Sequence, residues 1–278
     1  MKFSSLNPLN LPLICLGLLF AVSVGVSRAS IMLEDSTPLT PLTGNGGATL
    51  TLSNAYTVAE SGNNNVLVVL YSARNTGGRP TSATFGGVSL TTAGGFNQQE
   101  GGFSSTVEIF YMPETSFDSD FTTASQELVI NQNSADDGYV VSAFTLSGVK
   151  LSDPIGETGF DGETPNNTDT PLTVDLSSLA NDSRIVSVAG SNFQGSVSPT
   201  LNVDTELYDD VSGANHRSAA GLTDVTGSDE SITYTYNSNG RGAMFAVEFQ
   251  AIPEPSTGLL LWSLIVGAFA FHRKRRGC

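Results

Sequence analysis

The chain has 278 residues and a formal net charge of −15, from 12 basic and 27 acidic side chains, and it carries only two cysteines. Such acidity excludes a polyanion such as nucleic acid as a direct partner. Cys15 and Cys278 lie at opposite extremities, which excludes a disulfide framework, while the length suffices for a core that needs no covalent staple.

Met1-Lys2 opens a weakly basic leader, and Leu9 to Val26 supplies an apolar core broken by Pro12 and Gly17. Ser27-Arg28-Ala29 then places small residues where a signal peptidase reads them, so cleavage is expected between Ala29 and Ser30. An uncleaved first membrane helix is the alternative, disfavoured because the apolar core is short and a small-residue site follows it. Lipidation of Cys15 is disfavoured by Ile14, since the residue before a lipidated cysteine should be small.

Residues 30–47 contain Pro38, Pro41 and Gly44-Asn45-Gly46-Gly47 and read as a flexible linker. From Ala48 onward, short β-type runs alternate with Gly, Asn, Asp and Ser. About twelve strands are expected up to Gln250, the spacing of an all-β sandwich or barrel. Val66 to Tyr71 is apolar at every position, as for a central strand covered on both faces. Phe85-Gly86-Gly87-Val88 reads as a tight hairpin, because paired glycines supply the positive φ angles of a two-residue turn. Ser231 to Tyr236 alternates strictly, placing Ile232, Tyr234 and Tyr236 on one face. In the last run Phe245, Val247 and Phe249 point one way, with Met244, Ala246 and Glu248 on the other face.

The succession Ala83 to Leu90, Val107 to Tyr111, Val141 to Val149 with Asp153-Pro154-Ile155-Gly156, and Phe245 to Phe249 resembles a β-sandwich module of bacterial surface and phage-associated proteins. Its layout is similar to concanavalin A-like jelly rolls. The resemblance implies an all-β fold, a single jelly-roll-like sandwich, and bears on fold rather than activity.

The chemistry available between the two ends is sparse. His216 is the only histidine there, and its neighbours Asn215 and Arg217 place it at the surface. No Gly-x-Ser-x-Gly elbow occurs, and the Glu-x-Asp-x-x-Glu string of jelly-roll glycosidases is absent. Catalytic residues are therefore assigned to none. Acidic residues fall in two expected loops, one with Asp153, Glu157, Asp161, Glu163 and Asp169, the other with Asp204, Glu206, Asp209 and Asp210. Solvated charge is the plain reading; a structural calcium is the one cofactor these oxygens leave open. Tyr208, Phe96, Phe103 and Phe160 are expected in loops, where rings either pack onto the body or stack against a sugar.

The chain closes with Pro253-Glu254-Pro255, an uncharged apolar run from Thr257 to Phe271, and the basic cluster Arg273-Lys274-Arg275-Arg276. Two prolines one residue apart enforce an extended segment ahead of a helix. The run is apolar all round, as suits lipid, and the basic cluster stops transfer and stays cytoplasmic. This order of parts resembles the PEP-CTERM sorting signal of Gram-negative bacteria. The resemblance implies processing by an exosortase, a membrane transpeptidase of organisms that make exopolysaccharide. Fifteen helical residues reach only about 22 Å at about 1.5 Å each, short of a hydrocarbon core of about 30 Å, which favours a transient anchor over the alternative of a plain permanent one.

The organisation expected is thus a signal peptide at 1–29, a linker at 30–47, a β-sandwich ectodomain at 48–251 and a sorting tail at 252–278. Within the tail, 257–271 form the transmembrane helix and 272–278 the cytoplasmic end. Between the two removable ends six basic side chains face 27 acidic ones, a net of −21. The function expected is a secreted, non-enzymatic component of the cell surface or extracellular polysaccharide matrix. A calcium-dependent glycan-binding adhesin is the alternative, and a polysaccharide hydrolase a lesser one.

Overall fold

The computed structural model describes residues 30–34, 40–59, 62–100, 103–163, 171–191, 200–212, 216–235 and 241–253. Apart from one 3-10 turn at Glu114–Ser116, every regular element among them is a strand. In chain order these are β1 Met32–Leu33, β2 Leu42–Gly44, β3 Thr49–Tyr56, β4 Val66–Asn75, β5 Ser82–Phe85, β6 Val88–Ser89, β7 Thr91–Glu100, β8 Phe103–Pro113, β9 Gln126–Asn131 and β10 Asp136–Ser147. There follow β11 Ile155–Glu163, β12 Leu172–Ser177, β13 Arg184–Ser191, β14 Thr200–Leu201, β15 Thr205–Ser212, β16 His216–Asp224, β17 Asp229–Thr235 and β18 Gly242–Phe249.

The fold is all-β and antiparallel, as the patterning implied, but the strands divide among four sheets rather than the two of one sandwich. One inner sheet runs β1-β10-β4-β8-β7, with β2 also on β10, and the other runs β11-β18-β13-β16-β15. The outer sheets are β3-β9-β5-β6 and β12-β17-β14. Three apolar layers separate them. Leu67, Val69 and Tyr71 of β4 pack towards Leu50, Phe85, Leu128 and Ile130 of the first outer sheet. Val66, Val68 and Leu70 point the other way, to Val186, Val188, Leu222 and Phe245 of the second inner sheet. Ile185, Met244 and Ala246 then meet Val174, Ile232 and Tyr234 of the second outer sheet. β4 is apolar from Val66 to Tyr71 because successive residues face two cores in turn, and β18 splits its faces between Phe245, Val247 and Phe249 on one side and Met244 and Ala246 on the other.

Among the described strands, the second half of the chain repeats the first except for β1 and β6. Sheet order β10-β4-β8-β7 recurs as β18-β13-β16-β15, and β3-β9-β5 recurs as β12-β17-β14. Register agrees as well: Val66 lies between Pro113 and Leu146, and Arg184 lies between Asp224 and Phe249 in the matching places. Contacts between the halves are reciprocal. β4 meets β13; β8 meets β13 as β16 meets β4; β7 meets β18 as β15 meets β10; and β7 meets β11 as β15 meets β2. That is the contact pattern of an isologous two-fold dimer, enclosed here within one chain.

Several sequence expectations change in the folded chain. The segment 30–47 contributes β1 and β2, both hydrogen-bonded to β10, so it is in part sheet rather than linker. The two expected acidic loops contain strands β11 and β15. Both are edge strands, and their apolar pattern is diluted by glycine and carboxylates in β11 and by carboxylates in β15. The paired glycines behave as expected: Gly86 at φ 56° and Gly87 at φ 82° turn β5 into β6.

Candidate functional site

Of the residues assigned to sorting, Ser30 and Pro253 lie within the described part and both are exposed. Ala29, Glu254, Pro255, Arg273, Lys274, Arg275 and Arg276 lie outside it, as do the signal peptide, the apolar span at 257–271 and Asp169. Ser30 and Ile252 converge on Gly148, the residue after β10. A Cβ on Gly148 would sit 2.9 Å from the Ser30 carbonyl oxygen, and Gly148 holds φ 73°, which glycine alone adopts without strain. The amide of Ile252 donates to the Gly148 carbonyl at 3.2 Å. The two ends of the folded body therefore leave it from one corner.

His216, expected at the surface, is wholly buried at the seam between the two inner sheets. It shares a 2.7 Å hydrogen bond between Nε2 and Ser72 Oγ, and Ser72 is equally inaccessible. Alternation along β16 explains the correction: His216, Ser218, Ala220 and Leu222 share the face turned to the first half, and the polar flank Asn215-Arg217 hides this from a reading by hydrophobicity. Opposite them, Ser105 Oγ donates to the Gly190 carbonyl at 2.8 Å. In the repeat, Ser105 stands where His216 stands and Ser72 where Gly190 stands, so the two bonds are counterparts across the seam. Gly190 leaves room for the pair, since a Cβ there would lie 2.2 Å from Ser72 Oγ and 2.9 Å from His216 Cε1. Burial pushes the imidazole pKa down to about 3; the Ser191 backbone bond opposes this and the Arg74 charge adds to it. A serine beside a neutral imidazole is the pairing of a nucleophile and its base. Sealed from solvent on both sides, it serves as a joint.

Among the described residues three carboxylates are buried, and each is hydrogen-bonded. Glu108 accepts from Arg79 Nε and Nη2 at 2.5 and 2.7 Å and from the Thr92 hydroxyl. Glu248 accepts the backbone amides of Ala180 at 2.7 Å and Glu157 at 3.0 Å, tying the β12–β13 connection to β11. Asp136 takes the Gly46 amide at 2.5 Å and the Gln132 side chain at 2.8 Å, and burial raises its pKa against those bonds. Glu108 and Glu248 stand in different halves, each turned from the seam towards its own outer sheet, so they do not oppose one another across a cleft.

Two of the acidic residues considered for calcium are engaged by neighbouring backbone amides. Asp161 accepts the amides of Gly162 and Thr173, both at 2.8 Å, and Asp204 accepts the amide of Asp224 at 2.8 Å. Among the described residues no group of three or more His, Cys, Asp or Glu side chains gathers around one point. Of the rings expected in loops, Tyr208 lies on β15 and is buried, and Phe96 lies on β7. Phe160 is 62% exposed on β11 and stacks on Phe96 at 4.6 Å between centroids. Phe103 begins β8.

Beside the corner where the chain ends meet, β1, the start of β13 and the end of β16 enclose an open groove of about 530 Å3. Arg184 and Asp224, paired at 2.9 Å, form part of its wall. No helix among the described residues is long and apolar enough to cross a membrane. No known protein family matches the chain, and no curated protein or solved structure matches it either.

Proposed function

We propose that the chain is the precursor of a secreted, non-enzymatic protein of the cell surface or extracellular polysaccharide matrix, held at the inner membrane by its tail until an exosortase acts. The observation that carries this reading is the order Pro253-Glu254-Pro255, apolar span, Arg273-Lys274-Arg275-Arg276 after a thiol-free acidic body. Signal peptidase acts at Ala29–Ser30 and the exosortase at the tail. The membrane is a partner through residues 257–271, exopolysaccharide is the partner outside, and nucleic acid is not one. The carboxylates of the body repel an acidic polysaccharide, so contact with one runs through bridging cations or neutral sugars.

The body fits the jelly-roll type, in two units rather than one. Taking β2, β3, β4, β5, β6 with β7, β8, β9 and β10 as eight successive strands, the orders β2-β10-β4-β8 and β3-β9-β5-β6 interleave as two Greek keys do. β11 to β18 follow the same plan, with β15 in the place of β7 and no described strand in the place of β6. A stacked double body of this kind suits a passive building block, because its rigidity comes from three apolar layers.

Replacing Pro253, Glu254 and Pro255 by alanine tests the sorting step in a host that has an exosortase. The wild type is expected to be shortened and to reach the surface or medium, and the triple variant to stay full-length in the membrane. Equal processing of the two removes the reading. A calcium-dependent glycan-binding role is the second reading, favoured by the exposed Phe160 ring backed by Phe96. A glycan array probed with and without calcium, using wild type and Phe160→Ala, separates the two.

A further inference from the structure

The convergence of both chain ends on Gly148 says which side of the body meets the bilayer, given the membrane-held precursor proposed above. Four peptide steps separate Pro253 from the apolar run at Thr257, and four separate Ser30 from the end of the leader's apolar core at Val26. Four steps span at most about 14 Å. The body's radius of gyration is about 17 Å for a chain of this size, so such a tether is too short to let it roll over. Polar headgroups occupy about 6 Å of that reach on each side of the hydrocarbon. The corner from which the tether departs is therefore held at the headgroups.

What that corner presents agrees with the geometry. Only two large apolar side chains are markedly exposed among the described residues, Met32 at 60% and Phe160 at 62%, and Met32 stands on β1 two residues from Ser30. Lys150, the only lysine between the leader and the tail, follows Gly148 by two residues. Its amide bonds the Gln250 carbonyl at 2.9 Å, next to the departing chain. An unbranched apolar side chain and an ammonium are what a headgroup layer with anionic lipid accepts. The carboxylates of this neighbourhood that line the groove, Asp182 and Asp224, are in part offset by Arg184, which bonds Asp224. β10 runs away from the corner, and its far end at Asp136 lies about 36 Å off at about 3.3 Å per residue.

We propose that the corner formed by Ser30, Met32, Gly148, Lys150 and Ile252 is the membrane-apposed face of the precursor, in contact with lipid headgroups, and that the Asn133 end of the body points away from the bilayer. The full chain with Cys15→Ser and Cys278→Ser tests this, carrying either Met32→Cys or Asn133→Cys labelled with a small fluorophore. Asn133 is exposed in the turn before β10. Each protein is reconstituted in vesicles of phosphatidylethanolamine and phosphatidylglycerol, with nitroxide on a fraction of the headgroups. Flotation of the protein with vesicles is read first, then quenching. Flotation with several-fold stronger quenching at position 32 than at 133 is expected. Flotation with equal quenching at the two positions overturns the orientation and leaves the membrane tether standing. Failure to float overturns both.

Discussion

Acid should open the seam between the two halves, and His216 sets the amount. Its folded pKa is about 3 against about 6.5 when unfolded. Above pH 6.5 both states are neutral at this ring and it contributes nothing to the pH dependence. As pH falls from there towards 3, the unfolded chain gains a proton that the folded chain refuses. Each unit then removes about 1.4 kcal/mol of stability, so the loss reaches about 3 kcal/mol by pH 4 and about 4 kcal/mol by pH 3, where the folded ring begins to take its own proton. Against a typical net stability of about 5–15 kcal/mol, that is a large fraction. Asp136 works in the opposite sense, since its raised pKa lets the folded chain take a proton more readily and gain stability as pH falls. Comparison with His216→Asn isolates the imidazole from that background, because the amide fills similar space at the seam without titrating. Urea denaturation at pH 7 and pH 4 should show the wild type losing about 3 kcal/mol more than the variant over that interval. The Cε1 proton signal of His216 should not move between pH 7.5 and about pH 4.5. A ring that titrates near 6.5, or equal losses in the two proteins, would refute the burial argument.

Three further substitutions probe the joints described above. Gly190→Ala places a methyl against Ser72 Oγ and His216 and should cost about 1–3 kcal/mol in urea denaturation; adding Ser72→Gly should recover much of it, and no recovery would count against the close approach. Arg79→Ala strips the buried Glu108 carboxylate of two hydrogen bonds; because the guanidinium is partly exposed, a loss of about 2–3 kcal/mol is expected in urea denaturation at neutral pH, and an unchanged midpoint would count against the pairing. Glu248→Ala orphans the amides of Ala180 and Glu157 and should cost about 1–3 kcal/mol for each amide that water does not reach, with faster amide exchange at those two positions as the local signature.

Much of the body was legible because its inner strands carry a local signal. Val66 to Tyr71, apolar at every step, announced a strand with two covered faces, and Ile232 with Tyr234 announced a half-buried one; both are where the pattern put them. Gly86-Gly87 marked a hairpin by backbone chemistry alone. The edge strands left weaker traces. Ile155–Glu163 holds three glycines and three carboxylates, yet it pairs along β18, because an edge strand needs only one row of backbone partners. The candidate sorting residues were likewise read from local order, since Pro253-Glu254-Pro255 and the basic cluster are defined by their succession along the chain.

The chain by itself determined that this is an acidic, thiol-free, all-β body between two apolar ends, because charge, cysteine placement and two-residue alternation are properties of neighbours in sequence. Tertiary structure alone decided that the strands form four layers, that the second half repeats the first around a polar seam, and that Ser30 and Pro253 leave from one corner. The physical reason is range. Ser72 meets His216 across 144 positions, and no periodicity within either strand records that a buried serine and a buried histidine satisfy one another.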